Sequence, residues 1–350
     1  MRAVRLHGPE DLRVEELPPP PDPGPGEALL RIGAVGICGS DLHSYKDGRI
    51  GDTLYTAPAI LGHEFMGTVV AVGPAAEDGS HTPLHPGQRV AVDPALPDTR
   101  HELYEKGHPN LVPQAFYGLH PEDGALRESM VVLARNCFPL PNLIGDGAGT
   151  LLETLGVALH AVDLGRLKLA ETAAVLGCGP VGLLLLRLAA LSGAAAVYGF
   201  DLYPWRVDKA HSWGATEAWR VEPGADPVAA VYEATGGRGV DVVFEAAWSD
   251  ESVALAAEMV RPGGRLVLVG IPSDDRLVFK HSTARRKGLT ILMSRRMKHT
   301  YPRAISLTAA GRLDLDDLIS HRFPLAKAPE AFALSERYAE GVHKIVIDLP

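Results

Sequence analysis

The stretch TAAVLGCGPVG, residues 172–182, decides how the rest of the chain is read. Its first half reads as a short buried strand, and the leucine-rich segment 181–191 that follows reads as a buried helix. Between them Gly177, Gly179 and Gly182 keep the spacing G-x-G-x-x-G, with Pro180 and Val181 at the helix entry. A dinucleotide needs a tight turn there, close backbone approach to its pyrophosphate, and free N–H groups at a helix N-terminus facing negative charge. In a chain with 37 glycines the spacing alone is a weak signal, so its place between strand and helix carries the weight. Asp201 ends the next strand, AAVYGF (residues 195–200). A carboxylate there accepts the ribose hydroxyls and repels a 2′-phosphate, which favours NAD over NADP. Arg206, shortly after it, softens that preference, and Asp201 also fits a helix cap ahead of YPWRVDKA.

Working outward, strand and helix patterns alternate: a helix over 205–213, the strand VDVVFEA (240–246), the helix ESVALAAEMV (251–260), a turn at Pro262-Gly263-Gly264, and the strands RLVLVG (265–270) and GLTILMS (288–294). That alternation predicts an α/β fold with a doubly wound parallel sheet over 154–291. It is preceded by a helix in ETLGVALHAVDLG (153–165). Residues 1–153 read differently. MRAVRLHG, LRVEEL, GEALLRIGAVGIC, MGTVVAVG and GQRVAVDP are strand-like, and the proline-rich stretch 18–25 is a loop. The tail 292–350, with a helix in YPRAISLTAAG, a short helix in DLDDLI and a strand in HKIVIDL, is expected to return to this first domain.

Composition narrows the function. The chain has 350 residues, long enough for two domains, and its 46% hydrophobic and 22% charged residues are ordinary for a globular protein. The net charge of −9 argues against a general nucleic-acid binder and against anionic membrane surfaces. Cys38, Cys137 and Cys178 are too few and too scattered for a disulfide framework, so a reducing, cytoplasmic setting is expected. No secretory leader is read at the N-terminus, and no apolar run reaches the roughly 18 residues of a membrane span.

Chemistry concentrates in GICGSDLH (36–43) and GHEFMG (62–67). Cys38, His63 and Glu64 offer a soft thiolate, an imidazole and a carboxylate, the donor types zinc accepts; a catalytic zinc takes three protein donors and keeps one position open. Each residue alone is ordinary, since a single Cys is usually a buried apolar residue.

These stretches, with Gly73, GCGPVG and SHRFPL, together resemble the zinc-dependent medium-chain dehydrogenase/reductase superfamily over nearly the whole chain. LLETLGVALHA (151–161), SRRMKHTYPRAI (294–305) and ISHRFPLAKAPEAF (319–332) are most similar to its polyol, sorbitol-type branch. The resemblance implies a GroES-like β-rich catalytic domain beside a Rossmann cofactor domain. It implies one catalytic zinc on Cys38 and His63 with Glu64 or Glu153 as the third ligand, and Asp41 orienting the ligand histidine. Ser40 would touch the substrate oxygen and take its proton, His43 would pass the proton outward, and Arg296 would bind substrate hydroxyls. The reaction implied is hydride transfer from a secondary alcohol of a polyol or sugar to NAD. A glucose-type or threonine-type dehydrogenase on the same scaffold is the alternative. Met297 and Ser44 depart from the sorbitol-type pattern, so the particular polyol is not implied. A zinc-free relative would be expected to lack one of Cys38, His63 and Glu153, and all three are present. Where many relatives hold a second zinc on four cysteines, this chain has Asp98, His101, Tyr104 and Val112, so no structural zinc is expected. The family further implies a homo-oligomer, a tetramer or a dimer.

Overall fold

The computed structural model describes all residues except 51, 52, 56, 57, 248 and 272–275. The chain divides into two compact units, Met1–Thr154 with Tyr301–Pro350, and Leu155–Thr300. The second crossing falls later than the 291/292 boundary expected from sequence. That boundary would cut the strand Thr290–Met293, which pairs in parallel with Val260–Leu268 and so belongs to the second unit's sheet.

The first unit is built on a mostly antiparallel sheet. Glu27–Gly36 lies at its centre, paired with Glu64–Val72 on one side and with the C-terminal strand Lys344–Asp348 on the other. Ile319–Pro324 adds to the far edge of Lys344–Asp348 in parallel. The core beneath it is apolar and fully enclosed, with Ile32, Val35, Phe65, Leu126, Phe332 and Ile345 among its members. A helix, Gly39–Asp47, follows the central strand. Its polar sequence carries no apolar stripe that would have announced it. What starts it is a capping contact, in which the Asp41 carboxylate accepts from the Cys38 N–H at 2.9 Å.

The second unit is a six-stranded sheet, parallel at every pairing, ordered Glu217–Arg220, Ala196–Asp201, Thr172–Leu176, Val240–Glu245, Val260–Leu268, Thr290–Met293. Strand order reverses between Thr172–Leu176 and Val240–Glu245, the point where open sheets of this kind take their ligands. Val240–Glu245 is buried at every position, as expected of a strand covered on both faces. The expected turn at residues 262–264 instead lies inside the strand Val260–Leu268. The pairing slips there, Val240 facing Val260 but Val242 facing Arg265, and Gly263 takes a left-handed φ of 70°. DLDDLI forms only a 3-10 turn, Asp316–Leu318.

Candidate metal and dinucleotide sites

Strand register assembles the metal cluster. Gly36 is paired with Glu64, so Cys38, just beyond the end of one strand, arrives beside His63 and Glu64 at the start of the other. Among the described residues, Cys38, His63 and Glu64 bring a sulfur, a ring nitrogen and a carboxylate oxygen within 4.8 Å of one another. His63 is buried and Glu64 fully enclosed. Asp41, also fully buried, holds the arrangement: one oxygen accepts from the Cys38 N–H, and the other lies 3.3 Å from the Gly62 nitrogen and 3.3 Å from His63 Nδ1. A carboxylate behind a ligating imidazole is the usual device for fixing its tautomer. Ser40 Oγ stands 3.2 Å from His63 Nε2.

Two residues not anticipated from sequence complete this surround. Thr154 Oγ1 donates to Glu64 Oε1 at 3.0 Å, and Lys344 Nζ forms a buried ion pair with Glu64 Oε2. Burial disfavours the charged form of Lys344, but the negative charges of Glu64 and then Cys38 outweigh it, so its pKa is raised. The same balance acts on His63. Burial opposes the charged ring, while Asp41 and Cys38 lift it well above the ordinary imidazole value. The sequence signal for Lys344 is a lysine directly ahead of the apolar run Ile345-Val346-Ile347.

The cluster fits a zinc ion by its own chemistry. Cys38, His63 and Glu64 gather a sulfur, an imidazole nitrogen and a carboxylate oxygen, the donor types zinc takes, with the Asp41 carboxylate behind the His63 ring. Glu153 is buried in the first turn of the helix Leu152–Gly165, next in sequence to Thr154, but it is not part of the three-donor group. His43 is partly exposed, with Nδ1 3.6 Å from Asp47 Oδ2. Arg296 lies in the second unit, half-buried, with a left-handed φ of 50°.

Three of the four positions where many relatives hold a second zinc have local surroundings of another kind. Asp98 Oδ1 accepts from the Arg100 N–H at 3.0 Å, His101 Nδ1 caps the short helix Glu102–Glu105 through the Leu103 N–H at 3.1 Å, and Val112 is fully buried.

In the second unit the glycine loop runs from Gly177, with φ 90°, to Gly179 at the N-cap of the helix Pro180–Leu191, which lacks a side-chain cap. Pro180 fills the first helical position, where no N–H is needed. A side chain at Gly182 would collide with the Gly177 carbonyl. Asp201 is buried at the end of its strand. Oδ2 accepts from the Cys178 N–H at 2.7 Å and Oδ1 from the Tyr203 N–H at 2.9 Å. The cap of the following helix is Tyr203, so Asp201 braces the loop rather than capping that helix. Arg206 packs over the Tyr203 ring at 5.2 Å, with Nη1 3.8 Å from Asp201 Oδ2. Cys178 is buried, and burial pushes its thiol far up, away from reactivity.

Comparison with known proteins agrees with this chemistry. A family described as alcohol dehydrogenase GroES-like domain matches residues 24–142, and one described as zinc-binding dehydrogenase matches residues 180–310. Sorbitol dehydrogenase from Gallus gallus is 38% identical over 97% of this chain and 94% of its own length. The Macaca fascicularis enzyme is 37% identical over 96% and 92%. The solved alcohol dehydrogenase TADH from Thermus sp. ATN1 superposes with a TM-score of 0.90 at 30% identity, covering 100% of both chains. With a metal-donor cluster in one unit and a nucleotide-type glycine loop in the other, the chain belongs to the zinc-dependent medium-chain dehydrogenase/reductase superfamily, in its polyol dehydrogenase branch.

Proposed function

We propose that this enzyme oxidises a secondary hydroxyl of a polyol or sugar, using one zinc ion per chain and NAD. The observation that carries the reading is the thiolate, imidazole and carboxylate of Cys38, His63 and Glu64 gathered within 4.8 Å. Cys38 and His63 hold the ion, with Glu64 or Glu153 as third donor. When bound, the zinc supplies Lewis acidity toward the alcohol oxygen and the nicotinamide accepts the carbinol hydrogen as hydride. Ser40 Oγ, beside the His63 ring, takes the hydroxyl proton, and His43 passes it outward. Asp41 holds the His63 ring in place, and Arg296 binds substrate hydroxyls. Gly177, Gly179, Pro180, Val181 and Gly182 cradle the pyrophosphate, and Asp201 receives the adenosine ribose. The Asp201 carboxylate favours NAD; Arg206 beside it moderates the rejection of NADP.

The family's small-molecule alcohol substrates and its homo-oligomers, dimers or tetramers, extend to this chain under the same reading, as does a cytoplasmic setting. Among the described residues no helix is long and apolar enough to cross a membrane. The test combines metal analysis with absorbance of reduced nicotinamide over a panel of polyols, aldoses and amino alcohols, with NAD and NADP in separate arms. About one zinc per chain and faster turnover with NAD on a polyol are expected. Metal-free protein with full activity would sink the reading.

A further inference from the structure

Glu245 is a buried carboxylate that takes no part in the chemistry above. It is the last residue of the central strand Val240–Glu245, and its register partner is Leu176, the residue immediately before the glycine loop. It therefore stands directly across the point where the strand order reverses, the place where a doubly wound sheet holds its nucleotide.

Its contacts gather the surrounding loop ends. Oε1 accepts from the Ala247 N–H at 2.8 Å and from Ser252 Oγ at 2.6 Å. Ser252 and Ser249 form the reciprocal cap of the helix Asp250–Met259, with the Ser252 N–H donating to Ser249 Oγ at 3.0 Å and the Ser249 N–H to Ser252 Oγ at 3.2 Å. The Glu245 carbonyl accepts from Val269 and Gly270, at 2.9 and 3.0 Å, where the neighbouring strand ends. The next residue, Ala246, donates to the Leu176 carbonyl at 2.8 Å, and its own oxygen would lie 2.7 Å from a side-chain carbon placed at Gly177. The loop after Val240–Glu245 is thus pressed against the glycine loop, and the Glu245 carboxylate sets its first turn. An acid enclosed at the end of a strand is costly unless hydrogen-bonded, and these donors offset that cost.

We propose that Glu245 is a positioning residue for the dinucleotide: by holding Ala247 and the Ser252 cap it shapes the wall of the crevice that faces the glycine loop. The proposal rests on that loop being the cofactor site. It predicts an effect on cofactor affinity that is separate from metal binding and from the chemical step.

The experiment uses the full-length zinc enzyme and reads NADH affinity by fluorescence, KM for NAD, kcat at saturating NAD, zinc per chain and melting temperature. Glu245→Ala is expected to weaken NADH binding and raise the KM for NAD by about tenfold, the loss of two hydrogen bonds to a charged acceptor, with kcat and zinc within about twofold of wild type. Glu245→Gln keeps an acceptor oxygen and should return the affinity to within about threefold. Should Glu245→Ala fail to fold, Ser252→Ala removes one donor to Glu245, along with the acceptor of the Ser249 N–H, and is expected to weaken NADH by about threefold while kcat and zinc stay put. Unchanged NADH affinity in these variants overturns the proposal. So does a joint fall of affinity, kcat and zinc that Glu245→Gln does not restore. Wild-type enzyme that binds no NADH would instead overturn the cofactor reading beneath it.

Discussion

Two enclosed carboxylates, Glu64 in the first unit and Asp241 in the second, are surrounded in opposite ways. Asp241 accepts from both terminal nitrogens of Arg238, from Arg261 Nε at 2.6 Å, and from the Thr172 N–H and hydroxyl at 2.9 and 3.0 Å. Two guanidinium groups face one carboxylate, so positive charge is in excess and the oxygens are saturated. Glu64 meets one ammonium and one hydroxyl, and shares its space with a thiol, an imidazole and the carboxylate of Asp41. There the neighbours are metal-donor groups rather than a surplus of cations. A buried carboxylate with surplus cations ties a fold together, whereas one grouped with a sulfur and an imidazole is built to accept a metal ion.

The strongest way to break this contrast is to remove the sulfur. Cys38→Ser should lose the zinc and lower turnover by roughly a thousandfold or more, since the metal supplies several kcal/mol of transition-state charge stabilisation. Retention of zinc and activity would show that the cluster of Cys38, His63 and Glu64 is structural, like Asp241. Next is Lys344→Met, which strands the enclosed Glu64 charge and is expected to destabilise the metal-free protein by about 3–5 kcal/mol in a denaturant titration. Pairing it with Glu64→Gln should recover much of that stability without recovering activity. Asp41→Asn should follow, weakening zinc by about 10- to 100-fold in competition with a chelator, because the His63 ring loses its oriented acceptor.

How far the sequence carries the reader follows the same division. The glycine loop is local: one spacing between one strand and one helix defines it, and the structure places Gly177, Gly179, Gly182 and Asp201 together around a single turn. The metal donors are legible as residue types, but their convergence depends on the pairing of Gly36 with Glu64, which no local pattern encodes. Lys344 is further from view, since the C-terminal strand reaches Glu64 only through its place in the central sheet beside Glu27–Gly36. Asp98 and His101 show the reverse case. Their ligand-type side chains look available in the sequence, but neighbouring backbone N–H groups engage them. The helix Gly39–Asp47 escaped because its sequence is mostly polar: a buried cap starts it, and Leu42 and Tyr45 anchor it in the core.

The smallest effect sharpens the contrast through pH. Burial alone would push the Asp241 carboxyl upward, but the hydrogen bonds from Arg238, Thr172 and Arg261 outweigh it and hold it far below the usual carboxylate range. Its pKa in the folded chain is therefore below the value of about 3.9 it takes when unfolded. A group depressed in this way contributes stability that is complete above the unfolded value and is lost as the pH falls through the folded one. Arg238 is half exposed, which screens part of the gain. Asp241→Asn should accordingly lower unfolding stability by about 1.5 kcal/mol at neutral pH. The gap between variant and wild type should stay constant down to about pH 5 and close progressively in stronger acid, where the wild-type carboxyl also takes a proton. Denaturant midpoints measured from pH 7 to pH 2 would show this convergence. A gap that held constant to the lowest pH would mean that Asp241 acts through shape and hydrogen-bond count rather than through its charge.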